Sequence, residues 1–270
     1  MTLRKFIHNA TEPFRTASEY VGFRRRKKKQ AKEKNNQASG DGHPVLLLPG
    51  FSGNGGLTAG LRDNISDAGY NVYDLGGGRN FGLTDEMATR LSARLEEIFI
   101  ANGGQKVSLI GHSLGGVYAR ELAREYPEMV RDVITICSPF GAGLDKKSVP
   151  ATLRVIFNRL NPDSPLLNDP DLAKRAVTPP PMPTTAIFSR KDGVAHWESC
   201  INPKTEQSEN IEINSSHVGA IWNKKVLEAV LDRLAQPQDG WKPYHGASND
   251  CHAENPDWKP GPQSGNLFKK

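Results

Sequence analysis

Ser113, Asp192 and His217 are three residues of this 270-residue chain whose types and settings suit covalent catalysis. Ser113 lies in KVSLIGHSLGGVYARELAREYP, residues 106–127, between Gly111 and Gly115, where an apolar run gives way to a helical pattern. A serine hydroxyl is a weak nucleophile until a histidine accepts its proton, and that histidine needs an acid to fix its tautomer. The pattern by itself decides little. With glycine and serine each at about 7% of residues, glycine-x-serine-x-glycine arises by chance in roughly one chain in ten of this length.

Context adds the weight. Asp192 stands in SRKDGV, directly after the apolar run 185–189 and before a turn glycine. His217 stands in INSSHVGA, directly after the run 210–214. Rival residues sit less well. His196 follows Asp192 too closely, and its AHW setting suggests a pocket wall that includes Trp197. His112, inside the serine turn, is expected to face away from the serine. His8, His43, His245 and His252 lie in tails or before the first strand, and Asp163, Asp169 and Asp171 fall between strands. No His/Asp cluster has metal-ligand spacing, so neither a metal nor a cofactor is expected.

These residues need elements to position them. VLLLPG (45–50) reads as a buried strand entering a loop. Residues 57–70 read as a helix ending near Gly69, and NVYDLGGG as strand and turn. Residues 83–104 suit a helix with Thr84 as N-cap and Met87, Leu91, Leu95, Ile98 and Ile100 on a packed face. KVSLIG, 130–138, 185–189 and 210–214 are further strands, and 223–236 is a final amphipathic helix. Largely apolar strands alternating with helices predict a parallel sheet covered on both faces. Between 138 and 185 the chain makes an excursion too long for an ordinary loop, which is usually functional. Residues 237–270, rich in Pro, Gly and Asn, are expected to lie extended on the surface or to lack fixed structure.

Charge divides the chain unevenly. Residues 1–40 carry eleven Lys/Arg and three Glu, or +8 of a total of +5, so residues 41–270 sum to −3. The basicity belongs to the N-terminal 1–42 segment, with RRRKKKQAKEK at 24–34. Leu3, Phe6, Ile7, Phe14, Tyr20, Val21 and Phe23 can give it an apolar side. It is read as a solvated arm that can meet an anionic membrane surface, dispensable for turnover of soluble substrates. Nucleic acid is not expected as a partner, because no aromatics interleave the basic run. Absence of an 18-residue apolar run argues against a membrane span, and the N-terminus lacks a secretory apolar core. A cytoplasmic protein, peripheral to the membrane through residues 1–40, is the expectation. Cys137, Cys200 and Cys251 have neither zinc spacing nor disulfide-scaffold density; they are read as reduced thiols, with a Cys137–Cys200 bridge left open.

With HPVLLLPGF, GHSLGG, SRKDG and SSHVG spread over about residues 43–235, the chain resembles lipases and esterases of the α/β-hydrolase family, bacterial lipase-like hydrolases above all. The resemblance implies a mostly parallel central sheet with helices on both faces and a cap insertion at about 141–183, within a catalytic domain at 43–236. It implies Ser113 as nucleophile, Asp192 as acid and His217 as base, with the backbone amides of Phe51 and Leu114 binding the oxyanion. In the insertion, Leu153, Ile156, Phe157 and Leu160 share one helical face and either line the acyl side or pack the cap on the body. Two departures stand out. Pro49-Gly50 replaces the His-Gly pair of many lipases, and no acidic cluster beside His217 matches the calcium site of some. The expected activity is hydrolysis of acyl or lipid esters through an acyl-enzyme. An acyltransferase or thioesterase with the same triad is the alternative, and a non-catalytic binding protein of this fold the third possibility.

Overall fold

The computed structural model describes residues 3–30, 40–77, 82, 84–140 and 175–245. The expected cap therefore falls largely outside the described residues, with Leu153 and Phe157 in it, and so does the tail after 245. Six strands form one sheet: β1 (Pro44–Leu48), β2 (Asn71–Asp74), β3 (Val107–His112), β4 (Val130–Ile136), β5 (Thr184–Ser189) and β6 (Ser208–Ile213). Their order is β2-β1-β3-β4-β5-β6, and every pairing is parallel.

Period-two alternation sorts the core into two layers. Leu46, Leu48, Leu109 and Val133 meet α3 (Asp85–Ala101) and α4 (Leu114–Glu125) on one face. Val45, Leu47, Ile110 and Ile134 meet α2 (Gly55–Asp67) and α5 (Lys224–Leu234) on the other. The caps are of the expected kind. Thr84 Oγ1 accepts from the Met87 amide at 3.1 Å, and Asn223 Oδ1 from the Lys225 amide at 2.9 Å. Ile100 is a correction: it is 67% exposed. Two residues beyond Ile98 is about 200° around the helix, so it points away from the packed face.

The N-terminal segment gives the larger correction. Instead of a solvated arm, residues Leu3–Gln30 form a helix, α1, that lies against the body. At about 100° per residue, Glu12, Thr16, Glu19, Phe23 and Arg26 share one side, with Phe14, Val21 and Arg25 opposite. The first set makes the contacts. Thr16 Oγ1 is 3.1 Å from Ser216 Oγ, Phe23 covers Gly60, and Arg26 donates to the Trp222 carbonyl at 2.7 Å. The Tyr20 ring lies 5.0 Å from that of Trp222. A charge sum treats Glu12 and Glu19 as diluting a basic run, whereas both carboxylates face backbone N–H groups at strand ends.

The chain's return at 175–178 is pinned to α4 by fully buried Arg120. Its guanidinium donates to the carbonyls of Ala176 (3.1 Å), Val177 (3.2 Å) and Thr178 (3.0 Å) and to Asn202 Oδ1 (2.7 Å). It also lies 3.7 Å over the Phe140 ring. Glu121 adds ion pairs to Arg124 (2.6 Å) and Arg175 (2.9 Å) in the same buried layer. Replacing Arg120 with methionine removes the donor from the Ala176 and Val177 carbonyls and from Asn202 Oδ1, while the Thr178 carbonyl keeps its bond from Arg124. The expected loss is about 3 kcal/mol of unfolding free energy, read as a lower denaturant midpoint with the slope unchanged.

Candidate active site

Strand order decides where a site can form. From β1 the chain moves outward to β2, then crosses back to β3, so the loops after β1 and β3 diverge and leave a crevice at the carboxyl edge. Ser113 occupies that edge, between the last residue of β3 and the first of α4. Its backbone has φ 54° and ψ −122°, a left-handed conformation that costs a non-glycine residue roughly 1–3 kcal/mol. Neighbours hold it there: the Ser113 amide donates to the Ile136 carbonyl at 2.9 Å, and its carbonyl accepts from Gly116 at 3.0 Å. Gly115 is required by close approach, since a Cβ there would lie 2.1 Å from the Leu48 carbonyl oxygen.

His217, after β6, places Nε2 3.0 Å from Ser113 Oγ. Its Nδ1 lies 2.6 Å from Asp192 Oδ2, in the turn after β5. Asp192 Oδ1 accepts from the Val194 and Ala195 amides at 2.7 and 2.8 Å, so the turn holds the carboxylate without using the oxygen that faces the imidazole. With Nδ1–H donating to Asp192, Nε2 is free to accept the serine proton.

Burial works against a charged imidazole at His217, but the charge and hydrogen bond of Asp192, with the charge of Glu12, outweigh it and raise its pKa above the ordinary value. His112 contacts the loop of His217. Its Nε2 donates to the His217 carbonyl at 3.0 Å, and burial, then the neighbouring His217, push its pKa down to about 3. The ring is therefore neutral.

The proposed oxyanion donors flank the serine. Leu114 opens α4, so its amide is among the first-turn donors with no intrahelical acceptor. Phe51 follows Gly50, where an added Cβ would sit 2.9 Å from Ser113 Cβ, so this loop packs against the serine. Trp197 lies in a 3-10 turn, Trp197–Cys200, and stacks on Phe188 at 5.8 Å with the Arg190 guanidinium 3.8 Å over its ring. These contacts pack the turn that follows Asp192. Cys137 and Cys200 are buried free thiols.

Among the described residues, Cys137, Asp192 and His217 bring three potential metal-ligand atoms within 4.8 Å. The donor chemistry does not suit an ion. Burial, then the charge of Asp192, push the Cys137 thiol well above its usual value, and the His217 and Asp192 atoms already bond each other. Sequence reasoning missed Glu12 and Glu19 altogether. Their spacing of seven residues, opposite Phe14 and Val21, marks them as one helix face, but nothing local says which loops that face meets.

A parallel sheet with a strained serine at its edge and an acid and a base on later strand ends defines a class, the α/β hydrolases. The chain shares their fold: the alpha/beta hydrolase fold model matches residues 43–162. A triacylglycerol lipase of Pseudarthrobacter phenanthrenivorans is 30% identical over 105 residues, 36% of this chain and 33% of the lipase. A 1-acylglycerol-3-phosphate O-acyltransferase ABHD5 of Sus scrofa is 31% identical over 139 residues, 46% of this chain and 39% of that protein. The chain thus spans well under half the length of these curated relatives. In fold, it is similar to the Paleococcus ferrophilus monoacylglycerol lipase, with a TM-score of 0.51 at 18% identity over 71% of this chain and 93% of that one. Among the described residues, no helix is long and apolar enough to cross a membrane.

A general base must be neutral to accept a proton, so with His217 in that proposed role its raised pKa would set the acid limit of turnover. We expect kcat/KM to fall as pH drops through a value above the ordinary imidazole pKa. Asp192→Asn is expected to shift that limb to lower pH and to cut kcat by about 1,000- to 10,000-fold; pH–rate profiles of both proteins check this.

Proposed function

We propose that the protein hydrolyses carboxylic esters, of acyl or lipid type, through an acyl-enzyme on Ser113. The observation that carries this reading is the unbroken hydrogen-bond chain from Ser113 Oγ through His217 to Asp192. His217 Nε2 takes the hydroxyl proton as Oγ attacks the ester carbonyl. The carbonyl π electrons move onto oxygen, where the amides of Phe51 and Leu114 receive the charge. Collapse expels the alkoxide, which takes the proton from His217 and leaves Ser113 acylated. Water, deprotonated by His217, then attacks the acyl carbonyl; collapse releases the acid and restores the serine. Each oxyanion amide is worth about 100- to 1,000-fold in rate. Leu153, Phe157 and Trp197 are proposed to border the acyl group.

Acyl transfer is the competing reading, favoured by one observation: a relative carries the name O-acyltransferase. It differs only in the acceptor, an alcohol in place of water. Ser113→Ala is expected to abolish fluorophosphonate labelling and to lower p-nitrophenyl ester turnover at least about 10,000-fold. Near-full turnover in that variant would end the proposal. Product analysis with glycerol as acceptor separates the two reactions: free acid is expected, and dominant acylglycerol would favour transfer.

For the outer side of α1 we propose contact with an anionic membrane surface. Phe14 is 80% and Val21 47% exposed there, with exposed Arg25 on the same side. Phe14→Asp with Val21→Asp is expected to weaken co-sedimentation with phosphatidylserine vesicles about tenfold or more, leaving turnover of soluble esters unchanged. Equal sedimentation would remove the membrane from the reading.

A further inference from the structure

The N-terminal helix touches the catalytic loops through one residue in particular. Glu12 is only 8% exposed. Its Oε2 accepts from the Gly193 amide at 3.0 Å, next to Asp192. Its Oε1 accepts from the amide of His217 itself. One carboxylate thus bridges the loop of the candidate acid and the loop of the candidate base, from outside the catalytic domain expected from the sequence. Arg15, one turn on, pairs with Glu12 Oε2 at 2.7 Å and donates to the Lys191 carbonyl, one residue before Asp192. Glu19 continues the pattern on the β6 loop. It accepts from Ser215 Oγ at 2.8 Å and from the Ser216 amide at 3.1 Å.

We propose that Glu12 is a positioning residue for catalysis: α1 inserts its carboxylate between the acid and base loops and fixes the separation of Asp192 and His217. The inference rests on the reading of Ser113, Asp192 and His217 as a triad. Three groups then hold the base. Asp192 orients its ring, Glu12 takes its backbone N–H, and His112 donates to its carbonyl. Without Glu12, the Gly193 and His217 amides would lose this shared acceptor, and nothing would tie the two loops through it. Misplacement of a catalytic group by about 1 Å can cost about 100-fold in rate, so a bond between the loops governs kcat more than substrate affinity.

The carboxylate also acts on charge. Its own pKa is raised by burial and by Asp192, while the two amides and His217 oppose that rise. Ionised, it adds a negative charge beside an imidazole that must become cationic in the transition state. The groups facing His217 are Asp192 at Nδ1, Ser113 at Nε2, His112 at the carbonyl and Glu12 at the amide, with Cys137 beside Asp192.

The test uses the full chain carrying Glu12→Gln, which keeps the size of the side chain but loses the charge and turns an NH2 group toward one of the two donors. Arg26→Ala, which loosens α1 at Trp222, is the docking control. Two readouts are taken: kcat and KM on a soluble p-nitrophenyl ester, and the titration of His217 by histidine-selective NMR, assigned with His217→Ala. We expect Glu12→Gln to lower kcat about 10- to 100-fold with KM within about twofold, and to move the His217 titration to lower pH. Arg26→Ala is expected to leave both in place. A Glu12→Gln protein with wild-type kcat and an unmoved His217 titration would overturn the proposal. So would a kcat loss matched by Arg26→Ala with His217 unmoved, because α1 would then act only by general packing. A wild-type protein that hydrolyses no ester, with His217 still shifted in Glu12→Gln, would sink the ester reading and leave the positioning role standing.

Discussion

The backbone of Ser113 is the constraint from which the rest of the site follows. A left-handed serine at the end of a buried strand is unfavourable by roughly 1–3 kcal/mol, and it persists only where its surroundings over-determine it. Here β4 supplies the acceptor for its amide, and the first turn of α4 supplies the donor for its carbonyl. The bend places Ser113 between the end of β3 and the start of α4, so the proposed nucleophile and the positive end of the helix dipole arrive together. Gly115 then lets α4 come down onto Leu48, which brings the loop after β1 against the serine. Sheet order, the serine turn and the loop after β1 are one geometric solution.

A second constellation in the same molecule shows what that solution adds. Ser108, the second residue of β3, lies 2.9 Å from His43 Nε2, and His43 Nδ1 lies 2.5 Å from Asp41. By residue type this is another serine, histidine and aspartate in contact. Its chemistry is different. Ser108 Oγ donates to Asp132 at 2.7 Å, so its proton is already committed to a carboxylate rather than to the imidazole. Burial lowers the pKa of His43 and raises that of Asp132 to about 6, and Ser108 and His43 are almost fully enclosed. With no strained turn, no helix start and no exposed edge, the same three residue types tie the base of the sheet together. Contact among the residues is not enough; access and direction of the proton decide.

Much of this was legible in order and pattern. The apolar runs VLLL, VSLI and AIF mark buried parallel strands because both their faces must be covered, and the strand-end placement of Asp192 and His217 follows from chain order. Ile100 was misjudged because an apolar residue was counted without its angle around the helix. The bond of His112 to the His217 carbonyl was missed because that partner lies 105 residues away, which no local pattern encodes. Residues 1–40 were misjudged for a related reason. Summed charge is a property of composition, whereas Glu12 and Glu19 act through the direction each carboxylate faces. Helix period alone could have placed them on one side, opposite Phe14 and Val21, yet the loops they meet lie about 200 residues away. The proline at position 13 also argues against a helix, since an interior proline costs about 3 kcal/mol. The contacts of Glu12 with the loops of Asp192 and His217 work against that cost.

The proton affinity of His217 is a balance among its neighbours, and the roles of the surrounding groups follow from it. Burial alone would lower its pKa and weaken the base; Asp192 reverses this but occupies Nδ1 in doing so. A second carboxylate on the ring would compete for the serine's position at Nε2. Bound at the backbone N–H instead, Glu12 adds its field without touching either ring nitrogen. His112 completes the balance by staying neutral. Its ring centre is 5.0 Å from that of His217, and a positive charge there would cancel much of what the two acids contribute. At such separations one charge is worth about 1 kcal/mol in water and several times that in a protein-like medium. The burial that keeps His112 uncharged therefore matters as much to the base as its hydrogen bond to the His217 carbonyl.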